Sequence, residues 1–168
     1  MMLSDPQLID AINSQIGNEF KASMQYLAIG AYFEKETLPE LAKFFYEQAD
    51  EERTHALKFM QFILDAGGEV KIPSIPSPTH HFQFAEDAVK LSLESEWIVT
   101  DQINDLVGLA TKNNNYITIQ FLQWFVKEQL EEVSSMEDLL KIIQRAGEGG
   151  LLHVEEYLAR SPRSEQQA

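Results

Sequence analysis

Two residue types that bind metals stand three positions apart in the segment Glu52-Arg53-Thr54-His55. On a helix, residues at this spacing share a face, so Glu52 and His55 can chelate one metal ion. The same spacing is common on exposed helix surfaces, where it has no such role. The interpretation therefore depends on whether this helix face is buried.

The face that carries Glu52 is otherwise apolar. Glu52 lies two helical turns from Phe45 and two turns from Phe59, so it points the same way as both. Three other predicted helices have apolar faces that are interrupted in the same way near mid-length. The interrupting residues are Glu19 in the first helix, Glu96 in the third, and Gln129 and Glu132 in the fourth.

Acidic side chains inside a bundle need compensation, because an unpaired buried carboxylate costs on the order of several kcal/mol. Such groups must be paired with a base, protonated or bound to metal. The nearby basic residues Arg53, Lys112 and Lys127 fall off the apolar faces. A cation from outside the chain is therefore the expected partner, and a set rich in oxygen with one imidazole suits iron or manganese better than zinc.

The helices that carry these residues follow from apolar residues recurring at three- and four-residue steps, with no run that alternates with period two. Two clusters of Gly and Pro, in residues 67–78 and 147–150, interrupt the pattern. The sequence therefore predicts an all-α fold. The expected helices cover about 5–33, 38–66, 82–111, 116–146 and 150–159.

The lengths of the connections predict how the four long helices are arranged. The first and third connections are short, which makes their helices antiparallel neighbours. The long, Pro-rich second connection can run back along the bundle, giving two hairpins joined by one crossover. Ser4 or Asp5 is the expected cap of the first helix and Thr37 that of the second, with Pro39 in its first turn. Residues 1–160 are expected to form one domain, followed by a disordered tail at 161–168.

The amino-acid composition excludes several classes of binding partner and metal site. The 168 residues include 27 acidic and 13 basic side chains, a formal charge of −14, so nucleic acid and anionic membranes are not expected to bind. This charge is compatible with simple solubility or with attraction of cations. Cysteine is absent, which excludes thiolate metal sites and disulfides. The N-terminus lacks the pattern of a signal peptide, and a cytoplasmic location is expected.

Several motifs resemble those of the ferritin family, and the resemblance covers nearly the whole chain. The motifs look like those of bacterial non-haem ferritins, and the resemblance implies a ferritin-like four-helix bundle with a long crossover and a short fifth C-terminal helix. The matching segments are Asn18-Glu19-Phe20 with Tyr26, Glu51-Glu52-Arg53-Thr54-His55-Ala56, Ser95-Glu96-Trp97 and Gln102 to Leu106, and Phe121 to Phe125 with Glu128 to Glu132.

The resemblance also implies an iron chemistry. Glu19, Glu52 and His55 would hold a first iron, and Glu52 would bridge to a second iron held by Glu96 and Glu132, with Gln129 close by. Tyr26 would hydrogen-bond to a ligand and could supply an electron. A third iron site would use Glu51, Glu128 and Glu131 together with Glu132. The family oxidises Fe(II) with O2 and stores ferric mineral in a homo-oligomeric cage of twenty-four subunits, whose fifth helices pack around fourfold axes.

Departures from related families narrow the function. Bacterioferritins repeat Glu-x-x-His on the fourth helix, where this chain has Gln129-x-x-Glu132, and they bind haem through a methionine where this chain has Arg53. Haem is therefore not expected. Rubrerythrins need cysteine. A storage cage without fast oxidation, a di-iron oxygenase and a helical signalling bundle remain the alternatives, in that order.

Other polar and aromatic residues have simpler expected roles. Tyr26 could equally be a core tyrosine whose hydroxyl finds a partner. Trp97 and Trp124 are expected to serve packing, and His80-His81 to be solvated. His153 could line a pore or pack on the surface. The runs Glu34-Lys35-Glu36 and Glu155-Glu156 are expected to be solvated faces.

Overall fold

The computed structural model describes residues 5–160, which form five α-helices and contain no β-strand. The helices are α1 (Pro6–Lys35), α2 (Pro39–Asp65), α3 (Ala85–Lys112), α4 (Tyr116–Ala146) and α5 (Leu151–Arg160), with a 3-10 turn at Glu148–Gly150 before α5. The predicted helices are confirmed, and the largest difference is that α3 begins at residue 85 rather than 82. Ser4 and the tail predicted at 161–168 lie outside the described residues.

The starts of α1 and α2 differ in how their free N–H groups are satisfied. Asp5 caps α1 as predicted, because its side chain accepts a hydrogen bond from the N–H of Gln7 at 3.0 Å. The predicted cap at Thr37 is wrong. Leu38 occupies the N-cap position without a side-chain hydrogen bond, and Thr37 lies in the left-handed region with φ 63°.

Glu155 of α5 supplies the missing cap of α2. Its two carboxylate oxygens accept hydrogen bonds from the backbone N–H groups of Glu40 at 2.8 Å and Leu41 at 2.9 Å. A carboxylate suits this position because the helix N-terminus carries partial positive charge. The expectation that Glu155 belongs to a solvated face is therefore wrong, since it is only 9% exposed, whereas Glu156 is exposed as expected.

The bundle has two apolar clusters rather than one continuous core. One cluster fills the end of the bundle near α5 and includes Phe33, Phe45, Val89 and Met136. The other fills the opposite end with residues such as Ile12, Phe59, Ile103 and Phe125. On each long helix the break between the clusters falls at a polar residue predicted to be buried. The apolar ends thus enclose a polar layer near mid-length.

The crossover between α2 and α3 is held on α1 by two side-chain amides. Asn13 donates to the carbonyl of Glu69 at 3.0 Å and accepts from the N–H of Lys71 at 2.7 Å. Gln25, further along α1, donates to the carbonyl of Thr79 at 2.9 Å and accepts from its N–H at 2.8 Å. The segment therefore runs along the bundle, as the predicted crossover requires. No helix within residues 5–160 is long and apolar enough to cross a membrane.

Between these two amides the crossover touches α1 itself. A Cβ atom at Gly17 would lie 2.3 Å from Cγ of Pro73, which is closer than two non-bonded carbon atoms can approach. Glycine is therefore required at this point of close approach.

Candidate metal centre

The polar layer gathers side chains from all four long helices. Each of the six predicted centre residues is at most 3% exposed, so the expected burial of acidic groups is observed. These residues are Glu19 on α1, Glu52 and His55 on α2, Glu96 on α3, and Gln129 and Glu132 on α4.

Two overlapping groups of potential ligands share His55. In the first, one ligand atom each from Glu19, Glu52 and His55 lie within 4.8 Å of one another. In the second, His55 is grouped at the same spacing with Glu128 and Glu132. The first group is the set expected to hold the first iron, whereas the second joins Glu132 to a residue expected at the third site.

Glu52 has the central position among the acids. Its carboxyl group lies at hydrogen-bonding range of Glu19 on one side and Glu96 on the other. Two acceptor groups can approach in this way only with a proton or a cation between them. No N–H or hydroxyl group donates a hydrogen bond to Oε2 of Glu19 or to Oε1 of Glu52. A divalent cation would satisfy both oxygens.

Glu96 differs from the other two acids because both of its oxygens accept hydrogen bonds. The phenol of Tyr26 donates to Oε1, and Nε2 of Gln129 lies 3.2 Å from Oε2. Gln129 is itself held by Thr100, whose Oγ1 lies 3.2 Å from Nε2. The structure therefore brings Tyr26 and Gln129 together around Glu96.

Burial sets the electrostatics of this layer. It raises the pKa of Glu52 well above its usual range, with the negative charges of Glu96 and Glu19 acting in the same direction. Burial also raises the pKa of Glu19 to about 7, although hydrogen bonds from Glu52 and Gln15 oppose the shift. The pKa of Glu96 is raised by burial against the hydrogen bonds from Tyr26 and Gln129. The raised pKa values mean that, without a cation, the acids keep protons to a higher pH than usual, and a bound metal would displace such protons.

His55 is neutral near pH 7, because burial and then the charge of Lys58 lower its pKa to about 4. Its Nδ1 lies 3.2 Å from Oε2 of Glu52, and since the ring is uncharged this contact is a hydrogen bond rather than an ion pair. The rings of Trp124 and Phe125 lie nearly perpendicular to the imidazole, with centroids 5.4 and 5.8 Å away. A neutral, immobilised imidazole is the form that binds a metal.

Tyr26 is fully buried beside the acids. Burial raises its pKa well above the usual range, and the charges of Glu96 and Glu52 add to the effect. The phenol therefore keeps its proton and acts as a donor to Glu96. This geometry is compatible with both roles considered for Tyr26 from the sequence.

The residues expected at a third site lie beside this layer with different exposure. Glu128 is 7% exposed, Glu51 is half-buried, and Glu131 is exposed and pairs with Lys127 at 3.8 Å. Burial raises the pKa of Glu128, and the charges of Glu131 and Glu51 add to the shift. The three acids are thus near neighbours at the edge of the bundle.

The remaining predicted roles concern residues outside the layer. Trp124 is half-buried and packs against the imidazole, with Nζ of Lys58 3.5 Å from the centre of its ring. Trp97, expected to pack, is 50% exposed in this chain. His80, His81 and His153 are exposed.

Sequence reasoning missed Gln15, which is only 2% exposed and donates to Oε1 of Glu19 at 2.8 Å. The signal was available, since Gln15 precedes Glu19 by four residues on the apolar face of α1. It was overlooked because glutamine is uncharged and therefore does not stand out as a residue that needs compensation.

Known proteins resemble this chain in sequence and structure. A model of the ferritin-like domain matches residues 9–146. Ferritin BfrB of Mycolicibacterium smegmatis is 46% identical over 149 residues, covering 89% of this chain and 82% of that protein. The bacterial non-heme ferritin of Staphylococcus aureus is 36% identical over 141 residues, covering 84% and 85%. An open pore ferritin from the archaeon Archaeoglobus fulgidus superimposes with a TM-score of 0.91 at 30% identity, covering 95% of this chain and 98% of that one.

Proposed function

Because the chain belongs to the ferritin family, we propose that it stores iron and oxidises Fe(II) with O2 at a paired-iron site within each subunit. One observation carries this proposal. Buried acidic side chains from all four long helices converge around one neutral imidazole, and Oε2 of Glu19 and Oε1 of Glu52 have no hydrogen-bond donor there. Such a layer is costly for a protein that never binds a cation.

In this proposal iron is the substrate, and the ligands follow the contacts described above. Glu19, Glu52 and His55 bind one Fe(II), and Glu52 reaches towards Glu96 on the side of a second. Glu132 and Gln129 complete the second position. Hard anionic oxygens stabilise Fe(III) more than Fe(II), so this donor set favours oxidation.

Two adjacent Fe(II) ions supply two electrons together to one O2, which two single ions in separate sites cannot do. Gln129 is a neutral residue where a further anionic or imidazole ligand could stand, so the second iron is held less tightly. That favours release of Fe(III) to a mineral store over a permanent cofactor. Tyr26 keeps Glu96 oriented through its hydrogen bond.

The finer features of the proposal follow the family resemblance. Glu51, Glu128 and Glu131 with Glu132 form a third iron site, and the subunits assemble into a homo-oligomeric cage of twenty-four in the cytoplasm. Haem is not part of the proposal, because Arg53 stands at the position of the haem-binding methionine and is exposed. Neither nucleic acid nor membrane is expected as a partner.

Stopped-flow absorbance in air tests the oxidation by comparing the wild type with Glu52→Ala on cages of confirmed size. We expect a fast phase that saturates at about two irons per subunit and is lost in the variant. Glu47→Ala is the matched control, since Glu47 lies on the same helix, is about half exposed and pairs only weakly with Lys43 at 3.9 Å. It should keep the fast phase. Equal slow oxidation by wild type and Glu52→Ala would instead describe a passive storage cage.

A further inference from the structure

We propose that Gln15 positions Glu19 so that this carboxylate binds metal through one oxygen only. The proposal rests on the function proposed above, because it assumes that Glu19 is a metal ligand. Gln15 itself touches no metal. It acts by occupying one of the two oxygens of Glu19.

The contact is built into the interior of the bundle. Gln15 and Glu19 are 2% and 1% exposed, so water does not compete for either group. Nε2 of Gln15 lies 2.8 Å from Oε1 of Glu19, a short distance for a hydrogen bond from a neutral amide. The two residues are one helical turn apart on the same face of α1, which holds the contact in place.

A second amide fixes which end of Gln15 faces the acid. Nδ2 of Asn18 donates to Oε1 of Gln15 at 3.1 Å. Because that carbonyl oxygen is already used as an acceptor, the NH2 end of Gln15 must point at Glu19. Asn18 is half-buried, so the chain of amides runs from near the surface to the acid.

The free oxygen of Glu19 is the one available to a metal. No N–H or hydroxyl group donates a hydrogen bond to Oε2, whereas Oε1 accepts the hydrogen bond from Gln15. A carboxylate with one oxygen engaged in this way coordinates through the other, which lowers the number of ligands on the ion. Since the amide carries no charge, it orients Glu19 without replacing the cation that the acid needs.

Co(II) provides a direct probe, because its visible absorption is stronger when it has four or five ligands than when it has six. In Gln15→Leu both oxygens of Glu19 become available, so we expect the absorbance per bound Co(II) to fall by about half or more. Loss of the orienting contact should also raise the dissociation constant about tenfold. Asn18→Leu, which frees the amide to turn, should change the spectrum in the same direction by less.

Asn13→Leu is the control, because Asn13 is another buried amide on α1 but holds the crossover instead of a centre residue. Its Co(II) spectrum should match the wild type. A wild-type spectrum in Gln15→Leu overturns the proposal, even if affinity falls, and if that variant does not fold the same outcome in Asn18→Leu overturns it. If the wild type does not bind Co(II), or if Glu52→Ala binds it equally well, the proposed function is contradicted instead.

Discussion

Two glutamates with nearly the same burial have opposite surroundings. Glu155 is 9% exposed, and each of its oxygens accepts a backbone N–H at the start of α2. Glu52 is 1% exposed, and its Oε2 contacts His55. Its Oε1 accepts no hydrogen bond from an N–H group, and the carboxyl group faces other acids. The fold therefore supplies hydrogen-bond donors to both oxygens of Glu155. For Glu52 it leaves one oxygen that needs a proton or a cation.

The contrast shows that burial alone does not identify a metal ligand. A buried carboxylate can be stabilised by helix N–H groups and the partial positive charge of the helix end, as Glu155 is. What distinguishes the centre is that its acids lie beside one another, and that Glu19 and Glu52 each keep one buried oxygen without a hydrogen-bond donor. Removing a carboxyl group should consequently have opposite effects in the two regions.

The largest difference is expected in metal affinity. Glu52→Ala removes the proposed central ligand, and we expect the affinity for Co(II) or anaerobic Fe(II) to fall by more than about 100-fold. Glu155→Ala, which changes a residue of α5 at the start of α2, should bind with wild-type affinity. Isothermal titration of both variants measures the difference. Similar losses in both would mean that binding reports only on the integrity of the bundle.

Stability should follow the reverse order. Glu155→Ala leaves two N–H groups at the start of α2 without acceptors, which we expect to cost about 2 kcal/mol. For a chain of this size that lowers the thermal midpoint by about 4–8 °C. The measurement is calorimetry of metal-free protein at matched concentration. Glu156→Ala, an exposed neighbour, is the control and should leave the midpoint unchanged.

In the centre, neutralising an acid should stabilise the metal-free protein. Glu52→Gln keeps the shape of the side chain but removes a buried carboxyl group that, beside Glu19 and Glu96, must either take up a proton or carry an unfavourable charge when the metal-free chain folds. We expect a gain of about 1 kcal/mol near pH 8, seen as a higher thermal midpoint. Addition of Co(II) should reverse the order, since only the wild type is stabilised by binding. A lower midpoint for metal-free Glu52→Gln would contradict the comparison.

A smaller effect is expected from pH. The pKa of Glu19 is raised from 4.5 to about 7, so its contribution to stability is fully present below pH 4.5 and is lost as pH rises through 7. His55 has the opposite sign: its pKa is lowered from 6.5 to about 4, and its contribution is present above pH 6.5 and lost as pH falls through 4. Between about pH 6.5 and 8 only the acids change, and metal-free protein should lose about 1 kcal/mol.

Glu19→Gln tests whether Glu19 causes this pH dependence, because the substitution removes the titrating group and keeps the fold unchanged. Its stability should vary less than that of the wild type across the same range, measured by denaturant unfolding at several pH values. Equal slopes for the two proteins would show that Glu19 is not the group that titrates.

The fold and the polar layer could be predicted because both depend on periodicity. Apolar spacing locates the helices, and residues such as Glu96 stand out as polar exceptions within it. The cap of α2 could not be predicted in this way. Local sequence favoured Thr37, but the tertiary contact with Glu155 decides the helix start, and the spacing of residues along one helix contains no information about that contact.

Within the centre, sequence pattern indicated which residues face inward but not which atoms meet. The grouping of Glu132 with His55 and Glu128, and the contact of Gln129 with Glu96, depend on how α4 is rotated and displaced against α2 and α3. Hydrogen-bond direction in the pair Gln15 and Glu19 is likewise a property of the packed state. Periodicity has a resolution of about one residue, whereas these contacts are decided by shifts of about 1 Å.

The cap supplied by Glu155 also has a consequence for biosynthesis. Glu155 lies 115 positions after Glu40, whose N–H it accepts, so the ribosome makes the beginning of α2 long before its acceptor. Until then the first turn of α2 has free N–H groups and should fray while α1 and α2 already pair. Emergence of α5 closes this end of the hairpin, so a nascent chain that stalls before α5 should be cleaved by proteases near residue 40, and a completed chain should resist.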